Sequence, residues 1–275
     1  MVDKLSKIYR NMCIFFKSRK LINELTDELD TLKAKLDVPK ELFDRFYSDR
    51  NTDEYLTVYD NDEPLVTVCI GTYNRSRLLI ERSIPSVLNQ TYRNIELLVI
   101  GDCCTDDTAQ LVNAIRDPRL HFINLPERGR YPENPAHRWC VAGTVPFNHA
   151  LALARGDFIT HLDDDDEFAL DRIEKLVKLI QQEKADLLWH PFWHERPSGR
   201  WALNKALDFA FHQVTTSSIF YHRWFAAIPW DIEAYRYREP GDWNRLRKFK
   251  YLGARVARYP EPLLKHYCER NQKSG

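Results

Sequence analysis

The residues most able to support chemistry are five consecutive acids, Asp163 to Glu167, which follow a short apolar stretch. The apolar stretch, 158–162, suits a buried strand, and such a strand cannot carry a carboxylate cluster onward through a core. We therefore expect the acids at the carboxyl end of the strand, where open α/β sheets bind ligands. Close carboxylates repel one another unless a cation compensates, and their oxygens suit Mg²⁺ or Mn²⁺. The alternative is a solvated acidic turn, with Asp166 or Glu167 near the N-terminus of the next helix.

A long loop ahead of the acids, residues 126–146, is rich in Pro, Arg and Gly. Loops of this length are usually functional or mobile. We interpret this loop as a partly mobile wall of the site that offers cations to an anionic ligand, and the alternative is a purely structural insertion. Its candidate cations are Arg128, Arg130, His137 and Arg138.

The elements that must position these groups begin at Leu65, where predicted strands alternate with predicted helices. This alternation predicts an α/β fold with a Rossmann-like, mostly parallel sheet flanked by helices, spanning residues 65–275. The predicted strands are 66–70, 95–100, 120–124, 158–162, 187–193, 217–221, 256–259 and 263–267. The predicted helices are 77–89, one ending at 115, 147–155, 170–183 and 243–251.

Residues 1–37 differ in pattern and are predicted to form an amphipathic helix, followed by a connector over residues 38–64. Apolar residues recur in the helix at alternating three- and four-residue steps, the pattern of a coiled-coil seam. The first twenty residues are basic beside apolar side chains, so this part of the helix could lie on an anionic membrane. The alternative is that the helix packs on the body or pairs with a second copy. The seam residues are Ile22, Leu25, Leu29, Leu32 and Leu36.

Composition limits the classes of partner and location. Lys plus Arg equals Asp plus Glu at 40 each, so no global charge favours nucleic acid, and no nucleic-acid partner is expected. Six cysteines show no C-x-x-C pair and no zinc spacing, which indicates reduced thiols in a cytoplasmic protein. The apolar run in the basic N-terminus, Met12 to Phe16, is too short for a signal peptide or a membrane span.

Five stretches carry a more specific signal: Val66–Arg75, Ser86–Tyr92, Leu98–Thr108, Asn148–Asp157 and Leu162–Asp166. In this order and spacing they resemble the family 2 glycosyltransferases, inverting enzymes of the GT-A fold. The resemblance implies transfer of a sugar from a nucleotide-sugar donor, usually a UDP-sugar, to a glycan or lipid-linked acceptor. It also implies Mn²⁺ or Mg²⁺ as the cofactor. The family often builds surface glycans, and such an acceptor would suit a protein held at the inner face of the membrane by its basic helix.

The same resemblance implies which residues bind the nucleotide sugar. Thr72, Tyr73 and Arg75 resemble the first nucleotide-contacting loop. Asp102 resembles the carboxylate that holds the base or the ribose, although the two residues after it are cysteines where the family commonly has Gly-Ser. Arg138 is among the loop cations that could reach the phosphates.

The acid run is similar to the Asp-x-Asp motif of that family. The resemblance implies that Asp163 and Asp165 hold the metal and the diphosphate, while Asp164 contacts the ribose. His266 falls where some relatives place a further metal or diphosphate contact. The last two acids of the run are expected only to begin the next helix.

A separate carboxylate is the candidate catalytic base. Asp242, within Gly241-Asp-Trp243, matches the Glu-Asp-Trp region of the family, although the acid before it is here a glycine. An attacking hydroxyl must lose its proton to such a base. The residues alone also allow Asp242 to be an N-cap of the following helix.

Two rival functions are compatible with the residues. A sugar-phosphate nucleotidyltransferase has a similar sheet and metal acids, but it usually carries a Gly-rich phosphate loop, of which residues 71–75 are a poor version. A non-catalytic scaffold that binds nucleotide sugars would use the leucine seam as its working part.

Overall fold

A seven-stranded sheet forms the centre of the protein. The structure, a computed structural model, describes residues 2–268 and the side chains of residue 18 and residues 20–268. The strands are β1 (Val66–Thr72), β2 (Ile95–Gly101), β3 (Leu120–Asn124), β4 (Phe158–His161), β5 (Glu167–Phe168), β6 (Leu187–Trp189), β7 (Phe192–Glu195), β8 (Trp201–Asn204), β9 (Ile219–His222), β10 (Val256–Arg258) and β11 (Leu264–His266).

The central sheet has the strand order β10-β6-β9-β4-β1-β2-β3. Its neighbouring strands run parallel except at β9, which is antiparallel to both β4 and β6. The prediction of an α/β fold with a mostly parallel sheet is confirmed. Strands β1 and β2 are buried along nearly their whole length, as expected when helices cover both faces of a parallel sheet.

The helices surround this sheet, and they are α1 (Val2–Asp37), α2 (Lys40–Asp49), α3 (Asp53–Asp60), α4 (Ser76–Leu78), α5 (Ile84–Leu88), α6 (Thr108–Ala114), α7 (Pro135–Val141), α8 (Thr144–Leu153), α9 (Arg172–Glu183) and α10 (Gly241–Tyr251). A π-helical turn, Leu79–Ser83, joins α4 to α5, so the three together replace the single helix predicted over 77–89. Shorter 3-10 turns occupy Thr216–Ser218, Arg223–Ala227 and Ala234–Tyr237.

A second, four-stranded sheet has the order β5-β11-β7-β8 and was not expected as a separate sheet. The stretch 187–193 was predicted as one strand, which is wrong, because β6 ends before Pro191 and β7 begins after it in the other sheet. Proline has no amide hydrogen to continue a strand ladder. The small sheet brings β11, near the end of the described chain, beside the acid run.

The stretch 38–64, predicted as a connector, contains helices α2 and α3. Phe46 of α2 is fully buried. The hydroxyls of Tyr55 and Tyr59 of α3 donate to the buried carboxylate of Asp186 at 2.8 and 3.2 Å. This part of the chain therefore packs on the core rather than simply connecting, while the domain division itself stays a prediction.

Helix α1 docks on the body with the face opposite its leucine seam. The indole of Trp243 donates to Asp30 at 3.1 Å, and Lys33 pairs with Glu239 at 3.3 Å. Ala34 is fully buried in the same contact. Residues three and four apart share one helix face, so these contacts leave the opposite face outward. The seam residues are 51–82% exposed: Ile22, Leu25, Leu29, Leu32 and Leu36.

Among the residues that the structure describes, no helix is both long and apolar enough to cross a membrane. The basic side chains predicted near the start of α1 lie outside the described side chains, apart from Lys20, as does Cys13. Five cysteines are described as free thiols: Cys69, Cys103, Cys104, Cys140 and Cys268.

Candidate active site

The acid run lies in the loop between β4 and β5, at the carboxyl end of a central strand. Strand β4 ends at His161, and the amide of Leu162 still donates to the carbonyl of Cys69 on β1. The polypeptide then leaves the sheet, so the carboxylates emerge at the edge predicted from the sequence. The sheet geometry thus places several acids in one crevice.

Three side chains form a candidate metal site in this crevice: Asp163, Asp166 and His266. One ligand atom from each lies within 4.8 Å of the others. His266 Nδ1 is 2.9 Å from Asp166 Oδ2, and the hydroxyl of Ser217 donates to the same carboxylate oxygen at 3.1 Å. The amide of Tyr267 donates to its other oxygen at 3.1 Å. Asp166 is therefore held by the end of β11 on one side and by the 3-10 turn at Thr216–Ser218 on the other.

The electrostatics of this cluster favour a bound cation. Burial, with the neighbouring acids Asp166 and Asp165, raises the pKa of Asp163 well above its ordinary value. Burial also raises the pKa of Asp166. Burial alone would lower the pKa of His266, but the carboxylate of Asp166 outweighs it and raises that pKa to about 10. A divalent cation would relieve the repulsion among the carboxylates in place of the proton on His266, which must leave before the imidazole can bind a metal.

The donor set fits a divalent cation. Two carboxylates and one imidazole suit Mn²⁺ better than Mg²⁺, which proteins bind almost wholly through oxygen. Asp163 and His266 were predicted as metal ligands, and both belong to the cluster. The prediction that Asp166 begins a helix is wrong, because β5 follows it and α9 starts only at Arg172.

Asp165, the other predicted metal ligand, is placed differently. Its carboxylate is 3.2 Å from Nη1 of Arg75, and the same nitrogen is 3.0 Å from Asp164. The hydroxyl of Thr72 also donates to Asp164 at 2.7 Å. Burial raises the pKa of Asp164 to about 6, although Arg75 opposes that shift. The first loop and the acid run are thus joined by an ion-pair network.

The predicted nucleotide end of the crevice forms beside β2. Asp102 is buried and accepts a hydrogen bond from the amide of Gly129 at 3.0 Å. The guanidinium of Arg128 stacks 3.5 Å over the ring of Tyr73. The long loop therefore closes over the first strand end, as expected for a wall of the site.

Arg138 is held within that loop. Its guanidinium donates to the carbonyls of Pro132 and Glu133 at 3.1 and 2.8 Å. Helix α7, which was not predicted, begins here because Pro135 takes the first helical position and Asn134 caps it through Ala136 and His137. The role of Arg138 at the phosphates stays a prediction.

Asp242 lies in the first turn of α10, is partly buried, and interacts electrostatically with His266 of the cluster. The N-cap interpretation is wrong, because Pro240 is the N-cap residue and Asp242 lies within the first turn. Burial raises the pKa of Asp242, while hydrogen bonds from the amides of Trp243 and Thr216 oppose the shift. A side chain at Gly241 would meet the Cys140 carbonyl oxygen at 3.3 Å, so α7 packs closely against the start of α10.

Three contributors to the site were missed from the sequence: Asp166, Ser217 and Arg82. Asp166 belongs to the acid run itself, and its place in that run was the available signal. Ser217 lies in a run of hydroxyl residues, 215–218, for which no role was predicted. Arg82 donates to the carbonyl of Asp165, and nothing in its local sequence indicates this contact.

The chain is similar in sequence to known glycosyltransferases. Residues 67–134 and 144–239 match the sequence model of Glycosyl transferase family 2. The putative colanic acid biosynthesis glycosyl transferase WcaA of Escherichia coli (strain K12) is 35% identical over 134 residues, 48% of this chain and 42% of that protein. The UDP-Glc:alpha-D-GlcNAc-diphosphoundecaprenol beta-1,3-glucosyltransferase WfaP of Escherichia coli is 30% identical over 132 residues, 48% of this chain and 47% of that protein. The match thus spans less than half of each relative.

Solved structures share the fold. Staphylococcus aureus TarS 1–349 in complex with UDP matches with a TM-score of 0.58 and 20% identity, over 74% of this chain and 60% of that chain. The mannosyltransferase PcManGT from Pyrobaculum calidifontis, in complex with GDP-Man and Mn²⁺, matches with a TM-score of 0.50 and 22% identity, over 78% of this chain and 59% of that chain. At these identities the likeness concerns the fold.

Proposed function

The chain belongs to glycosyl transferase family 2, with a fold of the GT-A class, and we propose that it transfers a sugar from a nucleotide-sugar donor to a hydroxyl of a glycan or lipid-linked acceptor. The observation that carries the proposal is the grouping of Asp163, Asp166 and His266 at one strand end, with Asp242 entering from another element. This arrangement supplies a cation site for a diphosphate and a separate base.

We propose a UDP-sugar as the donor. TarS was solved with UDP, and the name of WfaP specifies UDP-Glc. In this chain Tyr73, stacked under Arg128, offers a flat surface for a base, and Asp102 offers a carboxylate beside it. Asp164 would hold the ribose, with Thr72 and Arg75 orienting it.

The proposed mechanism divides the work between two sides of the sugar. Asp163 and Asp166 with His266, or Asp165 after release from Arg75, would hold Mn²⁺ or Mg²⁺ against the donor diphosphate. The ion would neutralise the charge that develops on the leaving group. Arg138 would reach the phosphates only after leaving the two loop carbonyls that it now binds.

Asp242 is the proposed general base. In an inverting transfer the acceptor hydroxyl attacks the anomeric carbon from the face opposite the leaving diphosphate, so its base must lie apart from the metal ligands. What supports Asp242 is that it comes from α10, whereas the acid run follows β4, and that it is not one of the three clustered ligands. Burial raises its pKa, which makes its carboxylate a better proton acceptor than an exposed aspartate.

UDP-sugars should stabilise the protein in a thermal-shift screen, and Mn²⁺ should increase the shift. A ligand that binds only the native state raises stability by RT ln(1 + [L]/Kd). Asp102→Ala should lose most of the UDP shift, because the variant lacks the carboxylate proposed to hold the nucleotide. Asp60→Ala is the matched control, since Asp60 is an exposed surface residue far from the crevice.

Two activity assays separate the rivals. A nucleotidyltransferase would release pyrophosphate from a nucleoside triphosphate and a sugar phosphate, and this outcome would overturn the proposal. A non-catalytic scaffold would bind UDP-sugars with Mn²⁺ present but show no slow hydrolysis of them.

We also propose that the outward seam of α1 pairs with a second copy of the chain. The docked face already satisfies its polar contacts on α10, which leaves five apolar side chains without a described partner. Acids Glu24 and Glu28 flank this part of the seam, and they would repel an anionic membrane. The earlier part of the helix could still hold the protein at the inner face of the membrane, in the cytoplasm.

Leu25→Glu combined with Leu32→Glu should convert a dimer to a monomer in light scattering coupled to gel filtration. Like charges at facing seam positions repel, whereas leucines there pack together. Asn23→Glu with Thr31→Glu, both exposed off the seam, should leave the dimer intact. A wild-type monomer that binds anionic vesicles through Leu25 and Leu32 would show that the seam serves the membrane instead.

A further inference from the structure

A groove lies on the outer side of the small sheet, away from the crevice. Its volume is about 660 Å³, within the range of ligand pockets. It lies between the π-helical turn with α5 on one side and the strands β5, β11 and β7 on the other, and its lining is partly apolar and partly polar. The charged side chains of the lining are Glu81, Arg82, Glu167 and Lys265, and Asn89 and Trp193 add an amide and an indole.

Strand pairing places a row of side chains across this outer face. Lys265 of β11 pairs with Glu167 of β5 on one side and with Trp193 of β7 on the other. Trp193 in turn pairs with Leu203 of β8. Successive residues of a strand point to opposite faces, so His266 faces the crevice while Lys265 faces the groove. His266 thus joins the acid cluster, while its neighbour Lys265 lines the groove.

The aromatic surface of the groove is open. Trp193, which lines the groove, is 40% exposed, and so are Trp201 and Leu203 on the neighbouring strand β8. Trp201 packs edge-on against the ring of Tyr267 at 5.0 Å between centroids. An indole face beside fixed polar groups suits a ligand that has both apolar and hydroxylated surfaces.

The polar groups of the groove are held in place and balance in charge. Lys265 Nζ is 3.1 Å from Glu167, and the hydroxyl of Tyr267 donates to the other oxygen of Glu167 at 2.8 Å. The four charged lining residues are two acids and two bases, so their formal charges cancel. A neutral lining gives no electrostatic attraction to nucleic acid or to an anionic membrane.

Arg82 connects the groove to the crevice. Its guanidinium stacks 3.5 Å over the ring of Tyr267 and donates to the carbonyl of Asp165 in the acid run. Only the side chain of Arg82 would therefore separate a ligand in the groove from the acid run.

We infer that this groove binds an uncharged stretch of glycan, with a pyranose ring stacked on Trp193 and hydroxyls bonded to Glu167, Lys265 and Asn89. The CH groups on one face of a pyranose pack on an indole, and its hydroxyls bond to charged groups with charge-assisted strength. The choice of sugar as the ligand class rests on the proposed function, while the groove itself does not. Such a site would hold the acceptor or product glycan beside the reaction centre.

The test measures binding of four neutral tetrasaccharides, cellotetraose, laminaritetraose, chitotetraose and maltotetraose, to the full chain by saturation-transfer NMR and calorimetry. At least one should bind, and Trp193→Ala should weaken it by about tenfold or more, since stacking is lost. Trp193→Phe should retain part of the affinity because it keeps an aromatic face. Tyr47→Ala removes another exposed aromatic, far from the groove, and should change nothing.

Saturation with UDP and Mn²⁺ distinguishes the groove from the crevice, because a groove ligand should not be displaced. If none of the tetrasaccharides binds, or if Trp193→Ala leaves the affinity unchanged, the inference is wrong even when UDP-sugars bind and turn over. If tetrasaccharides bind through Trp193 but UDP-sugars do not bind at all, the proposed function fails and the groove assignment stands.

Discussion

Asp242→Asn should reduce sugar transfer by about 10²- to 10⁴-fold while UDP binding stays unchanged. Asn keeps the shape of the side chain but cannot accept the proton of the attacking hydroxyl. Asp242 is not a member of the three-residue cluster, and it lies on α10 whereas Asp102 follows β2, so the loss of the Asp242 carboxylate should leave the nucleotide in place. Single-turnover transfer and UDP calorimetry measure the two effects separately.

The pH profile of the wild type provides a second measure of the same residue. A base acts only when it is deprotonated, and burial raises the pKa of Asp242 above that of an exposed aspartate. The value of kcat/KM should therefore fall as pH falls through this raised pKa, and remain full above it. Asp60→Asn, on the exposed surface, should show wild-type rates. Normal turnover by Asp242→Asn would contradict the mechanism.

Asp166→Asn should weaken Mn²⁺ binding by at least about 10- to 100-fold, whereas Asp165→Asn should weaken it much less. Asp166 lies with Asp163 and His266 in the three-residue cluster, while Asp165 pairs with Arg75. Removing a carboxylate ligand takes away both charge and a bonding atom, and its neighbours cannot replace it. Electron paramagnetic resonance of free Mn²⁺ measures the affinity directly.

The contrast between the two acids is informative because the resemblance implies a metal role for Asp165. The opposite order, with Asp165→Asn the more damaging, would indicate that Asp165 leaves Arg75 when the donor binds. Asp166→Asn also loses its pairing with His266, so thermal unfolding should accompany the titration. His266→Gln should reproduce the weaker metal affinity if the cluster acts as a unit.

Periodicity predicted most of the central sheet. Strand β3, Leu120–Asn124, has the predicted limits, and the other strands of the sheet differ from theirs by a few residues. Apolar runs between turn residues are local signals, so one sequence suffices to read them. The same is true of the acids at the end of β4, because a buried strand must release its charges at its end.

Local signals failed where packing decides the outcome. The stretch 38–64 looked polar and irregular, yet Phe46 and Tyr55 bury themselves against distant parts of the chain. The leucine seam of α1 predicted a coiled-coil contact or packing on the body, and the contact with the body is made by another face, which carries Asp30 and Ala34. A helix sequence displays an apolar stripe without specifying which surface is available to cover it.

By itself, the sequence determined an α/β sheet, acids at a strand end, a separate carboxylate in Asp242 and a family resemblance. Only the tertiary structure decided that Asp166 joins Asp163 and His266, and that Asp165 faces Arg75 instead. The reason is that adjacent carboxylates in a loop point in different directions, and the partner of each comes from an element far away in the chain. His266, on β11, reaches the acids only because a second sheet folds back against them.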